Sequence, residues 1–205
     1  MFTDRIEICR HRHNAFIYLI PSSHNTRSPS HEKFIRWIAT DIDIDKLSTD
    51  GSVTEPSNQA GAGGIIRDSN GIWIAGFARN LGFCSVPSAE CWALREGLQL
   101  AKNLNIHSLE VEMDSAFIFS LCKSNNLISH ELAPIILDCR ELLTTFQKVC
   151  FHHNYREANK CADILANWGR SNTQDFTFFE LCPNFVLPLL LQDLKGVTTP
   201  RMTVL

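Results

Sequence analysis

Two short apolar runs, Gly64-Ile65-Ile66-Arg67 and Ile72-Trp73-Ile74-Ala75-Gly76-Phe77, stand on either side of Asp68-Ser69-Asn70-Gly71. Asn-Gly between apolar runs is the strongest short-range hairpin signal, because both central positions of the favoured turn take positive φ. The chain must therefore build an antiparallel ribbon here. A third strand precedes it, from Ile42 and Ile44 through Lys46-Leu47-Ser48-Thr49-Asp50, and should end at or near Gly51. A helix follows the meander: Pro87 and Ser88 suit its first turn, and Leu94, Leu98 and Ala101 recur at helical spacing. Glu90 lies on that same stripe, which should face the sheet.

The pattern then alternates. Ser108–Met113 reads as a strand closed by Asp114-Ser115, Ala116–Lys123 as a short helix and Glu131–Phe146 as a longer one. Lys148–His153 reads as a last strand, and Ala158, Ala162, Leu165, Ala166 and Gly169 trace one face of a terminal helix. The order β-β-β-α-β-α-α-β-α predicts an α/β fold: a five-stranded mixed sheet, three antiparallel strands and then two parallel to the first, with helices on both faces. The domain should span residues 41–172. Residues 1–40 are expected to be a poorly ordered extension and linker, with Pro21–Ser30 polar and Pro/Ser-containing. Cys9-x-His11-x-His13 fits no common closed zinc site. Residues 173–205 form a tail whose Phe176, Phe178, Phe179 and Leu187 either pack back on the domain, the favoured reading, or meet a partner.

The 205 residues carry a formal net charge of −3, so no global positive field draws nucleic acid in. Any nucleic acid must be held by a local patch or through bridging cations. Eight cysteines without a CxxC pair point to buried thiols in a reducing compartment. Ala15–Ile20 is too short to span a membrane, and Phe185–Leu191 is interrupted by Pro188. An intracellular location, nuclear or cytoplasmic and not secreted, is expected, with no membrane partner and a monomeric state.

Four acids take positions that a random scatter would not favour. Asp50 lies at the first strand, Glu90 on the inward stripe of the first helix, Asp114 at the end of a later strand and Asp163 near the start of the last helix. Singly they read as a turn residue, a first-turn acid, an N-cap and a solvated helix acid. Together, with the later strands parallel to the first, they converge. Like charges about 4 Å apart cost several kcal/mol at protein-like dielectric. Hard divalent cations relieve that cost, and oxygen ligands suit Mg²⁺ or Mn²⁺.

The motifs Thr49-Asp50-Gly51-Ser52, Ala89-Glu90-x-Trp92-Ala93-Leu94, Val111-Glu112-Met113-Asp114-Ser115 and His153-x-Tyr155-Arg156-Glu157-Ala158-Asn159-Lys160-x-Ala162-Asp163-x-Leu165-Ala166 resemble the ribonuclease H superfamily. More narrowly they resemble the plant ribonuclease H-like domains related to non-LTR retroelement polyproteins. The resemblance implies that Asp50, Glu90, Asp114 and Asp163 bind two Mg²⁺ (or Mn²⁺) ions in the catalytic state. It implies that His153, ten residues before the last acid, shuttles protons or aids product release, and that the RNA strand of an RNA–DNA hybrid is cut endonucleolytically. Backbone groups at Gly51 and Ser52, with Arg156 and Lys160, are the candidate nucleic-acid contacts. Better-known bacterial and animal members carry asparagines just before the helix acid, where Val86-Pro87-Ser88 stands here. The alternatives are a catalytically weak or inactive module of this fold that binds nucleic acid or protein, and a related exonuclease.

Overall fold

The computed structural model describes residues 5–11, 14–19, 32–123 and 131–202. In chain order its elements are β1 (Arg5–His11), β2 (Asn14–Leu19), β3 (Glu32–Ile35), β4 (Asp45–Thr54), β5 (Gln59–Arg67), β6 (Trp73–Phe83), α1 (Val86–Asn103), β7 (Ser108–Met113), α2 (Ala116–Lys123), α3 (Ala133–Leu143), β8 (Lys148–His153), α4 (Lys160–Ser171), β9 (Phe176–Phe179), α5 (Leu187–Leu194) and β10 (Thr199–Met202).

The main sheet runs β2-β1-β8-β7-β4-β5-β6-β9. Its centre is the expected five-stranded unit: β4, β5 and β6 form the antiparallel meander, and β7 and β8 run parallel to β4. Three strands are additional. β9 pairs antiparallel with β6, and β1 pairs antiparallel with β8 and with β2. Residues 5–11 and 14–19, expected to fall in an unstructured extension, therefore widen the sheet. The open edge of β8 offers a row of backbone donors and acceptors, and a neighbouring extended segment satisfies them. The polar stretch Pro21–Ser30 and His13 lie outside the described residues.

The hairpin forms where Asn70-Gly71 predicts it. Asp68 Oδ1 accepts from the backbone N–H groups of Asn70 (2.9 Å) and Ile72 (2.8 Å), and of the Asn70-Gly71 pair Gly71 alone takes a positive φ, +82°, so the turn is not the one with two positive-φ positions. The first strand differs from expectation. It runs through Gly51 to Thr54, so Asp50 is a mid-strand residue paired with Gly63. The glycines here serve packing. A Cβ on Gly51 would lie 2.5 Å from the Glu90 nitrogen, and one on Gly63 2.2 Å from the Ala166 nitrogen. The backbones of α1 and α4 press directly on the sheet because those side chains are missing.

One face of the sheet is covered by α1, α2 and α3, whose Leu94, Leu98, Ile118, Ile136 and Cys139 pack against Leu47, Val111 and Phe151. Full burial of one such leucine contributes about 1.5–3 kcal/mol. The other face carries α4 and α5, with Leu165 and Leu190 against Ile65. The tail packs back on the domain through Phe179, Val186 and Leu190, and Asp193 pairs with buried Arg67 at 2.8 Å, whereas Phe176, Phe178 and Leu187 stay exposed. β10 turns antiparallel onto β3, with Arg201 opposite Lys33.

Lys46, at the beginning of β4, is buried between Glu110 (2.7 Å) and Glu112 (2.6 Å) and also donates to the Ile38 carbonyl. Burial alone would raise the Glu110 carboxyl, but Lys46, His152 and Thr40 outweigh it and hold it below its ordinary range. The seven cysteines from Cys84 to Cys182 are free thiols, five of them buried. No helix among the described residues is long and apolar enough to cross a membrane.

Candidate metal centre

Register brings the first and third acids together. β4 and β7 are parallel with Ser48 opposite Glu112. Two residues further along the chain stand Asp50, within β4, and Asp114, just past the end of β7, on the same side because strand side chains alternate with period two. Glu90 arrives from the side. Ser85 caps α1, accepting from the Ser88 N–H, and Pro87 sets the first turn, so Glu90 falls in the second turn where α1 touches Gly51. One carboxylate oxygen each from Asp50, Glu90 and Asp114 lies within 4.8 Å of the other two. Asp163, in the first turn of α4, stands outside that group of three.

The three carboxyls are buried to different depths: Asp50 is 1% and Glu90 6% exposed, whereas Asp114 is half-buried. Burial, then the neighbouring Glu90, Asp114 and Asp163, pushes Asp50 up to about 9 against the pull of Arg156. Burial and Asp114 push Glu90 up to about 8, although the Gly51 N–H and Arg156 favour its charged form. Burial also raises Asp114, opposed by Arg156 and His153. Asp50 Oδ2 and Glu90 Oε2 are buried and have no hydrogen-bond partner. A buried carboxylate oxygen without a donor is costly, and a cation removes the cost for both at once. An all-oxygen donor set with stranded acceptors fits a hard divalent cation.

The other nominated residues fall around this cluster. His153 is exposed, and its Nε2 lies 3.0 Å from the Asp114 carbonyl. Arg156 is exposed, with Nε 3.9 Å from Asp114 Oδ2. Gly51 turns its N–H to Glu90, and the Ser52 hydroxyl donates to Asn167 Oδ1 at 2.8 Å, so both are engaged within the protein. Lys160 donates to Thr199 Oγ1 in β10 at 2.8 Å.

Two residues take on a role only in three dimensions. Asn159, buried at the start of α4, donates to the Thr49 carbonyl at 2.8 Å and fastens the helix to the strand of Asp50. Asn167, one turn after Asp163, donates to the Asp163 carboxylate at 3.1 Å. Its i+4 spacing was the only available signal, and amides at that spacing are common on solvated faces.

The profile of the reverse transcriptase-like family matches residues 48–169. "Putative ribonuclease H protein" of Arabidopsis thaliana is 37% identical over 173 residues, which cover 84% of this chain and 28% of that protein. The chain thus spans under a third of that relative's length. Among solved structures, ribonuclease H1 of the halophilic archaeon Halobacterium salinarum NRC-1 has a TM-score of 0.57 at 25% identity, covering 62% of this chain and 96% of that one. The N-terminal ribonuclease H domain of rv2228c from Mycobacterium tuberculosis has a TM-score of 0.55 at 23% identity, covering 62% and 93%. LC11-RNase H1, solved in complex with an RNA/DNA hybrid, has a TM-score of 0.55 at 22% identity, covering 60% and 94%. With the five central strands, the helix order and the family match in agreement, the chain belongs to the reverse transcriptase-like family and has the ribonuclease H fold.

Proposed function

We propose that this chain is a divalent-cation-dependent endonuclease that hydrolyses the RNA strand of RNA–DNA hybrids. The observation that carries the reading is the convergence of Asp50, Glu90 and Asp114, two of whose buried oxygens have no protein donor. With Asp163 they would hold Mg²⁺ or Mn²⁺, two ions in the catalytic state. Such ions lower the pKa of water and stabilise charge on a leaving oxygen.

The chain's own residues have separate tasks. In the hydrolysis, water oxygen bonds to phosphorus, the bond from phosphorus to the 3′ oxygen breaks, and a proton reaches that oxygen. His153, exposed beside Asp114, is placed to take up or give a proton. Arg156 presents a guanidinium next to Asp114, where it suits a phosphate oxygen. The likeness to a structure solved with an RNA/DNA hybrid supports the choice of substrate class.

A second reading, a module of this fold that binds nucleic acid without turnover, is favoured by one observation. Of the four nominated nucleic-acid contacts, Gly51, Ser52 and Lys160 are engaged inside the protein. Incubation of the full chain with an internally labelled RNA–DNA hybrid and Mg²⁺ or Mn²⁺ separates the two. Internal cuts in the RNA strand that Asp50→Asn lacks support the endonuclease. Binding of the hybrid by folded protein without cutting in either metal supports the module.

A further inference from the structure

We infer that Asn167 is a positioning residue that fixes the Asp163 carboxylate through a relay anchored on Ser52; the inference rests on the metal-dependent reading of this same site. Asn167 lies one helical turn beyond Asp163 on the same face of α4. Its Nδ2 donates to the Asp163 main-chain oxygen at 2.8 Å and to Asp163 Oδ2 at 3.1 Å. Its Oδ1 accepts from the Ser52 hydroxyl at 2.8 Å. These contacts determine the amide's orientation. Turned over, its oxygen would face two acceptors, so only the present arrangement satisfies all three partners.

The relay spans two elements that each carry an acid. Ser52 is 8% exposed and lies two residues beyond Asp50 on the same face of β4. The path Ser52–Asn167–Asp163 therefore ties the strand of one acid to the helix side chain of another. Each of the other acids has its own restraint or burial: Glu90 receives the Gly51 N–H, Asp50 is enclosed, and Asp114 has Arg156 and His153 beside it. Asp163 is partly exposed, and Asn167 is the side chain that donates to its carboxylate. The hydrogen bonds reach Oδ2, which leaves Oδ1 as the oxygen to offer a cation.

An amide suits this place better than a basic side chain. A lysine or arginine one turn from Asp163 would also orient the carboxylate, but its positive charge would compete with a divalent ion for the same oxygens. An amide orients without neutralising. Such outer partners of a metal-binding group typically contribute about 10–100-fold in metal affinity.

The test measures Mn²⁺ binding to the full chain by the electron paramagnetic resonance signal of free Mn²⁺, with hybrid cleavage and thermal melting without metal alongside. Asn167→Ala is expected to weaken Mn²⁺ binding about 10-fold and to lower kcat more than KM changes, while the metal-free melt stays close to wild type. Ser52→Ala, which removes one hydroxyl at the far end of the relay, is expected to weaken binding less and to add nothing to Asn167→Ala in the double variant. Asn167→Lys should bind Mn²⁺ more weakly than Asn167→Ala. Wild-type Mn²⁺ affinity in folded Asn167→Ala overturns the inference. Should Asn167→Ala fail to fold, wild-type affinity in Ser52→Ala overturns it equally. A wild-type chain that binds Mn²⁺ but cuts no hybrid defeats the nuclease reading and leaves the relay standing on its affinities.

Discussion

His153 Nε2 lies 3.0 Å from the main-chain oxygen of Asp114, one of the acids of the cluster. A carbonyl only accepts, so Nε2 must carry hydrogen, and Nδ1 is the nitrogen left for proton exchange. The strand end that fixes the Asp114 carboxylate therefore also fixes the imidazole. His153→Ala is expected to slow hybrid cleavage roughly 10²-fold with Mn²⁺ affinity unchanged, because the ring touches backbone and no metal-binding oxygen. Single-turnover cleavage with parallel Mn²⁺ titration checks this, and a matching loss of metal binding would count against the proton-transfer role.

Asp50 and Glu90 make the metal-free protein sensitive to base. Their folded values, about 9 and about 8, stand above ordinary values of 3.8 and 4.5. A group that holds its proton more tightly when folded contributes stability that is complete below the unfolded value and is lost as pH rises through the folded one. Melting temperature without metal should therefore fall between about pH 5 and pH 9.5. Mg²⁺ or Mn²⁺ should reverse much of the fall, by about 2.7 kcal/mol at 100 times Kd. Asp50→Asn should flatten the pH dependence and remove the metal-induced gain. Differential scanning calorimetry across that range, with and without metal, measures both.

Gly51→Ala drives a Cβ to 2.5 Å from the Glu90 nitrogen, which is helix backbone and cannot swing aside. The expected cost is about 1–3 kcal/mol in urea unfolding, together with weakened Mn²⁺ binding as α1 is pushed off the sheet. Gly82→Ala is the contrast. A Cβ there meets nothing within 4 Å, and only its φ of +66° opposes the change, so metal binding should be unaffected.

Lys46 pairs with two buried carboxylates, Glu110 and Glu112. Lys46→Met leaves Glu110 and Glu112 buried without their cation and should cost about 3–5 kcal/mol. Replacing Lys46, Glu110 and Glu112 together by apolar residues of similar volume should recover most of that. Chemical denaturation of the two variants decides it: equal losses would mean that this buried triad is not the source of the penalty.

The β3–β10 pair converges on the segment leading to Asp163. Arg201 in β10 makes two hydrogen bonds to Glu157 (3.0 and 2.8 Å) and lies over the Tyr155 ring, as does Lys33 of β3. These side chains are part-exposed, so Arg201→Ala should change global stability by no more than about 1 kcal/mol. Hydrogen exchange should nevertheless quicken at residues 155–160 ahead of the rest of the domain.

Much of this arrangement was legible in the sequence where local chemistry and tertiary packing agree. Asn70-Gly71 makes the hairpin it predicts, and Ala116–Lys123 and Lys148–His153 have the bounds that their patterns suggest. Asp50, Glu90 and Asp114 meet because a parallel register follows from the element order. The pattern misleads where residues serve a distant partner. Gly51 reads as a strand end, yet it is a contact point for α1, a fact held in the distant helix residues Ala89 and Glu90. The alternation in Arg5–Arg10 is too short to announce a strand, and only the open edge of β8 makes it one. Asn167 offers only its i+4 spacing to Asp163 as a local signal, because its other partner, Ser52, comes from the far end of the domain.

The bare glycines of β4 and β5 also have a mechanical consequence. Ordinarily a layer of side chains separates a helix from a sheet, and rotamer changes in that layer act as a compliant cushion. At Gly51 and Gly63 the cushion is gone, and main chain bears on main chain from α1 and α4. The spacing between the acids of the strand and of the two helices is then set by peptide geometry, which is stiff. Core substitutions elsewhere should loosen or tighten the protein as a whole while leaving the span across the cluster nearly constant.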